Sequence, residues 1–310
     1  MTGRLTYLAY AAAWAVVRAL PERLARTLFR IGADLACRRR GKGVRRLEAN
    51  LRRVLGPAAS AAELADATRA GVRSYARYWL EVFRLPATPP EVIVARVRTV
   101  DEHRLRDTYA SGRGIVVALP HQANWDHAGA WAVLTGLPFT TVAERLQPAA
   151  LFDRFVDFRT SLGMEVVPLT GAEATPFDLL AQRLENGAFL ALLADRDLTA
   201  RGIDVDLFGA TARMPAGPAA LALRTGAALM PATLWYDGPL LWIRFHEEVV
   251  APPGATGGAA VAAMTQEVAR AFEEGIRAHP ADWHMLQRLW LADLDQSDPR
   301  RRPQAEAAAS

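Results

Sequence analysis

The sequence predicts an α/β fold: a mostly parallel, mixed central sheet flanked by helices, preceded by a helical, basic N-terminal extension. Three observations carry this reading. After Pro90, short apolar runs of strand length alternate with helical stretches of about ten to fifteen residues. Hydrophobic residues make up 51% of the 310 and charged residues 23%, which suits one large packed domain and excludes wholesale disorder. Asp237-Gly238, between two apolar runs, is a hairpin signal.

The elements follow in chain order. Residues 5–17 are almost wholly apolar, include Tyr7, Tyr10 and Trp14, and stop at Arg18. That run is too short to span a bilayer, and Arg18, Pro21 and a charged helix stand where a signal peptide would be cleaved. Past Pro21, Leu24, Leu28, Ile31 and Leu35 draw one apolar stripe at helical spacing, with Arg23, Arg26 and Arg30 on the other side. Arg38, Arg39, Arg40, Lys42, Arg45 and Arg46 follow. Residues 1–53 hold 13 basic and 3 acidic side chains, against 24 basic and 30 acidic in the rest. This asymmetry predicts that residues 1–46 rest on an anionic membrane surface. The competing reading is a helix packed on the domain with solvated arginines. A nucleic-acid partner is excluded, since it would need basic residues interleaved with stacking aromatics across the site-bearing domain.

Gly56-Pro57 ends a helix, residues 58–85 predict a long one with Tyr75, Tyr78 and Trp79, and Pro86, Pro89 and Pro90 break the chain. Strands are expected at 114–119, 139–143, 166–169, 189–194, 229–236 and 240–245. Helices are expected at 125–134, 149–163, 176–185, 217–224 and 265–277. From Asp293 onward Pro299 and a terminal Ala run predict a loose tail. The organisation is then 1–55 as docking extension, 56–292 as α/β domain and 293–310 as flexible tail. A lone Cys37 rules out an internal disulfide and Cys-rich metal sites.

Residues 114–126 carry the most chemistry. A buried strand ends at Pro120, and His121 stands at its carboxyl end, where open α/β sheets gather ligands. Asp126 follows five residues later, which on one helix separates the side chains by about 140°. The two are predicted to meet only if His121 lies on the loop and Asp126 in the first helical turn, with Asn124 as cap. The carboxylate would then hold one ring nitrogen and leave the other as a base. The alternative is a capping His and a helix-start Asp. His127 points elsewhere on the turn, and none of the six serines sits in a G-x-S-x-G nucleophile turn.

His121 and Asp126 resemble the HX4D signature of glycerolipid acyltransferases, and the wider pattern is similar to the bacterial lipid A late acyltransferase family. Further pieces agree in order: Thr141 to Leu146, with Glu144 and Arg145; residues 152–163 with Arg159; Asp195-Arg196-Asp197; Phe208-Gly209 with Met214 to Pro218, resembling a phosphate-loop-like segment; and His279 to His284, resembling the carboxyl-terminal Pro/Trp block. Within the family the strings look closest to the actinobacterial branch that acylates phosphatidylinositol mannosides.

The resemblance implies transfer of a long-chain acyl group, palmitoyl, from acyl-CoA to a mannose 6-hydroxyl of a phosphatidylinositol mannoside glycolipid. It also implies a peripheral protein on the cytoplasmic face of the plasma membrane. His121 is implied as general base and Asp126 as the group fixing its tautomer, with no covalent acyl-enzyme and no metal or other cofactor. Glu144 would hold the sugar or support the His network, and Arg159 would grip a phosphate or the polar end of pantetheine. Arg196 and Asp197 would organise the site, and His284 would lie close by. Asp195 stands where the family pattern has Glu and reaches one methylene less far. One alternative keeps the chemistry and changes the acceptor to another glycolipid or a lipid A-like lipid. The rival function, a glycosyltransferase, reads Asp195-x-Asp197 as a D-x-D motif holding Mg or Mn; a chelator separates it from acyl transfer.

Overall fold

In the computed structural model, residues 14–143, 149–168, 176–197, 202–295 and 297–298 are described. Residues 14–19 form the described part of α1. Three helices follow: α2 (Glu22–Arg39), α3 (Lys42–Leu55) and α4 (Ala61–Arg84). Helix α4 starts later than its apolar pattern because Ser60 and Glu63 form a reciprocal capping box. Leu47, Leu51, Leu64 and Val72 bury the seam between α3 and α4. Asn50 of α3 donates through Nδ2 to the carbonyls of Met285 and Gln287 at 2.7 and 2.9 Å, and Arg53 pairs with Asp293 at 2.5 Å. The rest of the expected tail, from residue 299, lies outside the described residues.

Beyond α5 (Pro90–Ala95), β1 (Val97–Val100) and α6 (Glu102–Ala110) comes the α/β unit. Its elements are β2 (Ile115–Leu119), α7 (Trp125–Leu134), β3 (Thr140–Ala143), α8 (Ala149–Ser161), β4 (Glu165–Pro168), α9 (Pro176–Glu185) and β5 (Phe189–Leu193). A two-stranded ribbon, β6 (Ile203–Leu207) and β7 (Ala210–Met214), precedes α10 (Gly217–Thr225), β8 (Ala228–Asp237), β9 (Leu240–Phe245) and α11 (Gly257–Ala278). Among the described residues the main sheet has seven strands in the order β1-β9-β8-β2-β5-β3-β4. Strands β8, β2, β5, β3 and β4 run parallel; the Asp237-Gly238 turn sends β9 back antiparallel to β8, and β1 runs alongside β9.

Central position explains β2, whose five residues are all buried, as a continuous apolar run requires. Ile115, Val117 and Leu119 face the layer containing α7, while Val116 and Ala118 face the layer of α9, α10 and α11. Of the phosphate-loop-like segment 208–218, Met214 ends β7 and Gly217 starts α10. Phe208 and Gly209 form the turn of the β6–β7 ribbon at φ 54° and 72°, the left-handed pair a tight hairpin needs. Helix α11 begins eight residues before the expected 265, because Ala260 and Met264 already pack into the core. Strand β1 escaped notice because four residues with Arg98 and Thr99 among them carry almost no apolar pattern.

The N-terminal stripe turns outward. Leu24, Leu28, Ile31 and Leu35 are 46%, 48%, 55% and 42% exposed, since α2 packs on α4 through the small Ala25 and Ala33. Trp14 does the opposite of what an interfacial aromatic would. It is buried against Phe83, Phe155 and Phe158 and donates its indole N–H to the Phe83 carbonyl at 2.9 Å. Residues 1–13 lie outside the described residues. No helix among the described residues is long and apolar enough to cross a membrane.

Candidate active site

Two neighbouring parallel strands place the central pair. Leu119 of β2 is in register with Leu193 of β5, and two residues beyond each strand end stand His121 and Asp195. Adjacent strands lie about 4.8 Å apart, so equal offsets bring the side chains abreast. His121 Nδ1 meets Asp195 Oδ1 at 2.5 Å, and the His121 backbone N–H donates to Asp195 Oδ2 at 3.0 Å. A carboxylate has no hydrogen to give, so Nδ1 carries a proton, and it is the neutral form of this ring that has its lone pair on Nε2. Nε2 has no hydrogen-bond partner among the described residues, and the ring lines a cavity of about 650 Å³.

This corrects the expected role of Asp126. The carboxylate is buried, but it accepts from Arg159 Nε at 2.8 Å and from the Tyr78 hydroxyl at 2.9 Å, not from His121. The H-x-x-x-x-D spacing places Asp126 in the first turn of α7 as expected, with Asn124 Oδ1 capping the His127 N–H at 2.9 Å. The left-handed Ala123 (φ 49°) bends the intervening loop, and the strand register gives the imidazole to Asp195 instead. The missing methylene of Asp195 does not keep it away, because its backbone is already level with His121.

Asp195 is fully enclosed. Burial pushes its pKa up, but attraction to His121 and hydrogen bonds from the His121 ring, the Trp283 indole (2.9 Å) and the His121 N–H outweigh this and hold it below the ordinary value. Burial likewise opposes charge on Arg159, yet the Asp126 carboxylate keeps the guanidinium above its usual pKa.

Around this pair the loop 121–124 is clamped from behind. The His284 N–H donates to the His121 carbonyl at 2.7 Å and the Ala123 N–H to the Asp282 carbonyl at 2.8 Å. Gln122, wholly buried, spans from the Gly275 carbonyl to the Leu234 N–H, each at 3.2 Å. The Ser74 hydroxyl donates to Asp282 at 2.6 Å and so accepts from His284 Nε2 at 2.9 Å. The His284 ring sits among Tyr75, Tyr78 and Trp125. Burial, then the nearby His121, drives its pKa down to about 3, so it is a neutral strut and not a second base.

A pH dependence of stability follows from His284. From about pH 6.5 down to about pH 3 the unfolded chain binds a proton there that the folded chain refuses, so stability falls as pH falls. The slope from this residue is up to about 1.4 kcal/mol per pH unit. Urea midpoints across that window should fall less steeply in His284→Gln than in the wild type; parallel slopes would refute the assignment.

The cavity wall is otherwise mostly apolar. It runs beneath Ala128, Gly129 and Trp131 of α7, from Ile243 and Phe245 of β9 to Phe139, Met164 and Phe189, with Asp126, Arg159, Arg196 and Asp197 near His121 as polar members. Gly129 is part of that space: a Cβ there would come within 2.8 Å of the Met164 and Phe139 side chains. The Arg196 Nε is buried without a hydrogen-bond partner among the described residues. Asp197 accepts from the Gly202 N–H at 2.9 Å and donates its own N–H to the Arg213 carbonyl. Glu144 lies outside the described residues.

Of the D-x-D carboxylates, Asp195 is engaged by His121 and Trp283, and Asp197 accepts from Gly202. Among the described residues no group of three His, Cys, Asp or Glu is placed to hold a metal. Tyr78, Ser74, Gln122 and Asp282 carry no site role in the sequence reading, although Gln122 stands in the 114–126 stretch and Asp282 and Trp283 in the carboxyl-terminal block.

An imidazole with one nitrogen fixed by an ionised carboxylate and the other open to a long apolar cavity is built to deprotonate a hydroxyl beside an apolar chain. Known proteins are similar to this chain over nearly its whole length. A phosphatidylinositol mannoside acyltransferase of Mycolicibacterium smegmatis is 48% identical over 300 residues, covering 96% of this chain and 95% of that protein. One of Mycobacterium tuberculosis is 46% identical over 301 residues, covering 96% and 92%. Residues 1–292 match the family described as bacterial lipid A biosynthesis acyltransferase. The chain belongs to that acyltransferase family.

Proposed function

We propose that this chain transfers a long-chain fatty acyl group, palmitoyl, from acyl-CoA to the 6-hydroxyl of a mannose on phosphatidylinositol mannosides. The observation that carries the reading is His121 at the cavity wall, its Nδ1 held by Asp195 and its Nε2 unengaged. The names and high identity of the mycobacterial relatives support the acceptor. The sugar hydroxyl loses its proton to His121 Nε2 as its oxygen attacks the thioester carbonyl. The resulting tetrahedral oxyanion collapses, expels the CoA thiolate, and the imidazolium returns its proton to that sulfur. Asp195 stabilises the imidazolium throughout.

Both substrates belong to a bilayer surface, and the exposed leucine and isoleucine stripe of α2, beside the basic residues of 1–46, supports peripheral docking on the cytoplasmic face of the plasma membrane. The chemistry asks for no metal. Incubating the protein with radiolabelled acyl-CoA and a panel of mannosylated and non-mannosylated lipids tests the reading. Label is expected in the mannosylated lipids alone, undiminished by chelator and abolished in His121→Ala. Label in the other lipids would sink the acceptor assignment, and turnover by a folded His121→Ala would sink the mechanism. Metal-dependent activity would favour the glycosyltransferase.

A further inference from the structure

We infer that the cleft enclosed by α2, α4, α5 and the β8–β9 turn binds a phosphate ester, and that its natural occupant is the phosphodiester of an anionic phospholipid. The cleft has about 270 Å³ and shares no lining residue with the acyl-transfer cavity. Four arginines line it, Arg26, Arg77, Arg84 and Arg96, against two carboxylates, Glu22 and Glu81.

The pairing leaves charge over. Arg26 takes Glu22 at 2.6 Å and Arg77 takes Glu81 at 2.7 Å. Arg84 meets no carboxylate among the described residues; its Nη1 donates only to the carbonyls of Val17 and Leu20, at 2.9 and 2.7 Å. Arg96 reaches only the Glu22 oxygens, at 3.5 Å, and Arg26 already holds that carboxylate. Glu81 is further occupied by Asn124 Nδ2 at 2.9 Å and the Tyr236 hydroxyl at 3.1 Å. The Nη2 of Arg77 is buried with no hydrogen-bond partner among the described residues, in a guanidinium pinned 3.6 Å over the Tyr236 ring. His127, on the cleft wall, adds no charge: burial lowers its pKa and its Nε2 is bonded to the Ile93 carbonyl at 3.0 Å.

The recess therefore holds about two guanidinium charges beyond what its carboxylates neutralise. Like charges confined in a partly desolvated recess repel, and an anion relieves them. Guanidinium forks match the oxygens of a phosphate in both geometry and charge.

The lipid source rests on the proposed docking of α2. That helix gives Glu22 and Arg26 to the cleft and turns Leu24, Leu28, Ile31 and Leu35 outward, so with the stripe in a bilayer its flank lies at headgroup depth.

Titrating the full-length chain with glycerophosphoinositol, inorganic phosphate and CoA, by calorimetry, tests the inference. Glycerophosphoinositol should bind saturably, and Arg96→Gln should weaken it about tenfold, while Arg30→Gln, exposed on α2, binds as the wild type does. Arg26→Gln supplies a second cleft variant should Arg96→Gln fold poorly. Leu28→Glu with Ile31→Glu should lose phosphatidylinositol vesicles yet keep glycerophosphoinositol, which separates failure of the docking reading from failure of the cleft. No binding, or binding unaltered in both cleft variants, would overturn the site. Tighter binding of inorganic phosphate or CoA than of the diester would overturn the lipid assignment.

Discussion

Asp195→Asn should lower kcat by roughly 10⁴-fold with little change in KM. The asparagine keeps the size of the side chain, but its amide can present a donor to Nδ1, which moves the ring proton to Nε2 and removes the base. It also removes the charge that stabilises the imidazolium when the hydroxyl proton arrives. Asp126→Asn should leave a much larger residual kcat, because Asp126 touches Arg159 and Tyr78 and not the imidazole. Single-turnover acyl transfer by the two variants, with folding checked by circular dichroism, decides between the carboxylates. Equal losses in both, or a larger loss in Asp126→Asn, would return the bracing role to Asp126.

The Asp126–Arg159 pair should show its importance in stability. Asp126 is 3% exposed, so Arg159→Ala strands a buried carboxylate with only the Tyr78 hydroxyl to answer it. Breaking a buried pair from one side costs about 3–5 kcal/mol, and the surviving Tyr78 bond places this case near the low end. Combining Arg159→Met with Asp126→Asn should recover most of the loss, since neither partner is then charged. Urea unfolding of the single and double variants measures both, and an additive double variant would show that the two side chains do not act as a pair. Because Arg159 also lines the cavity, its loss should reduce acyl transfer as well, and the stability measurement separates the two effects.

Much of this architecture was legible one element at a time. The run 115–119 announced a central strand because a strand covered on both faces has no polar positions to betray its period. The Asp237-Gly238 turn announced a hairpin through local backbone preference, and Asn124 announced the cap of α7. What escaped was short or stabilised from elsewhere. Strand β1 exists because β9 offers it an edge, and the β6–β7 ribbon has charged Asp204 and Asp206 on its exposed face. Trp14 lay in a run that looked interfacial, and only the aromatic pocket of Phe83, Phe155 and Phe158 draws it inward. In the other direction, periodicity leaves open which way the α2 stripe faces, and packing through Ala25 and Ala33 turns it outward.

Sequence alone marked the candidate residues: a histidine at a strand's carboxyl end, an acidic residue in the following helical turn, and an acidic triplet after a later strand. Which carboxylate meets the histidine came from the packing of the sheet. Proximity along the chain favoured Asp126, five positions away, but pairing between β2 and β5 aligns Asp195, 74 positions away, within one strand spacing. Strand register is a property of two distant segments held in one sheet, and no local pattern in either of them encodes it.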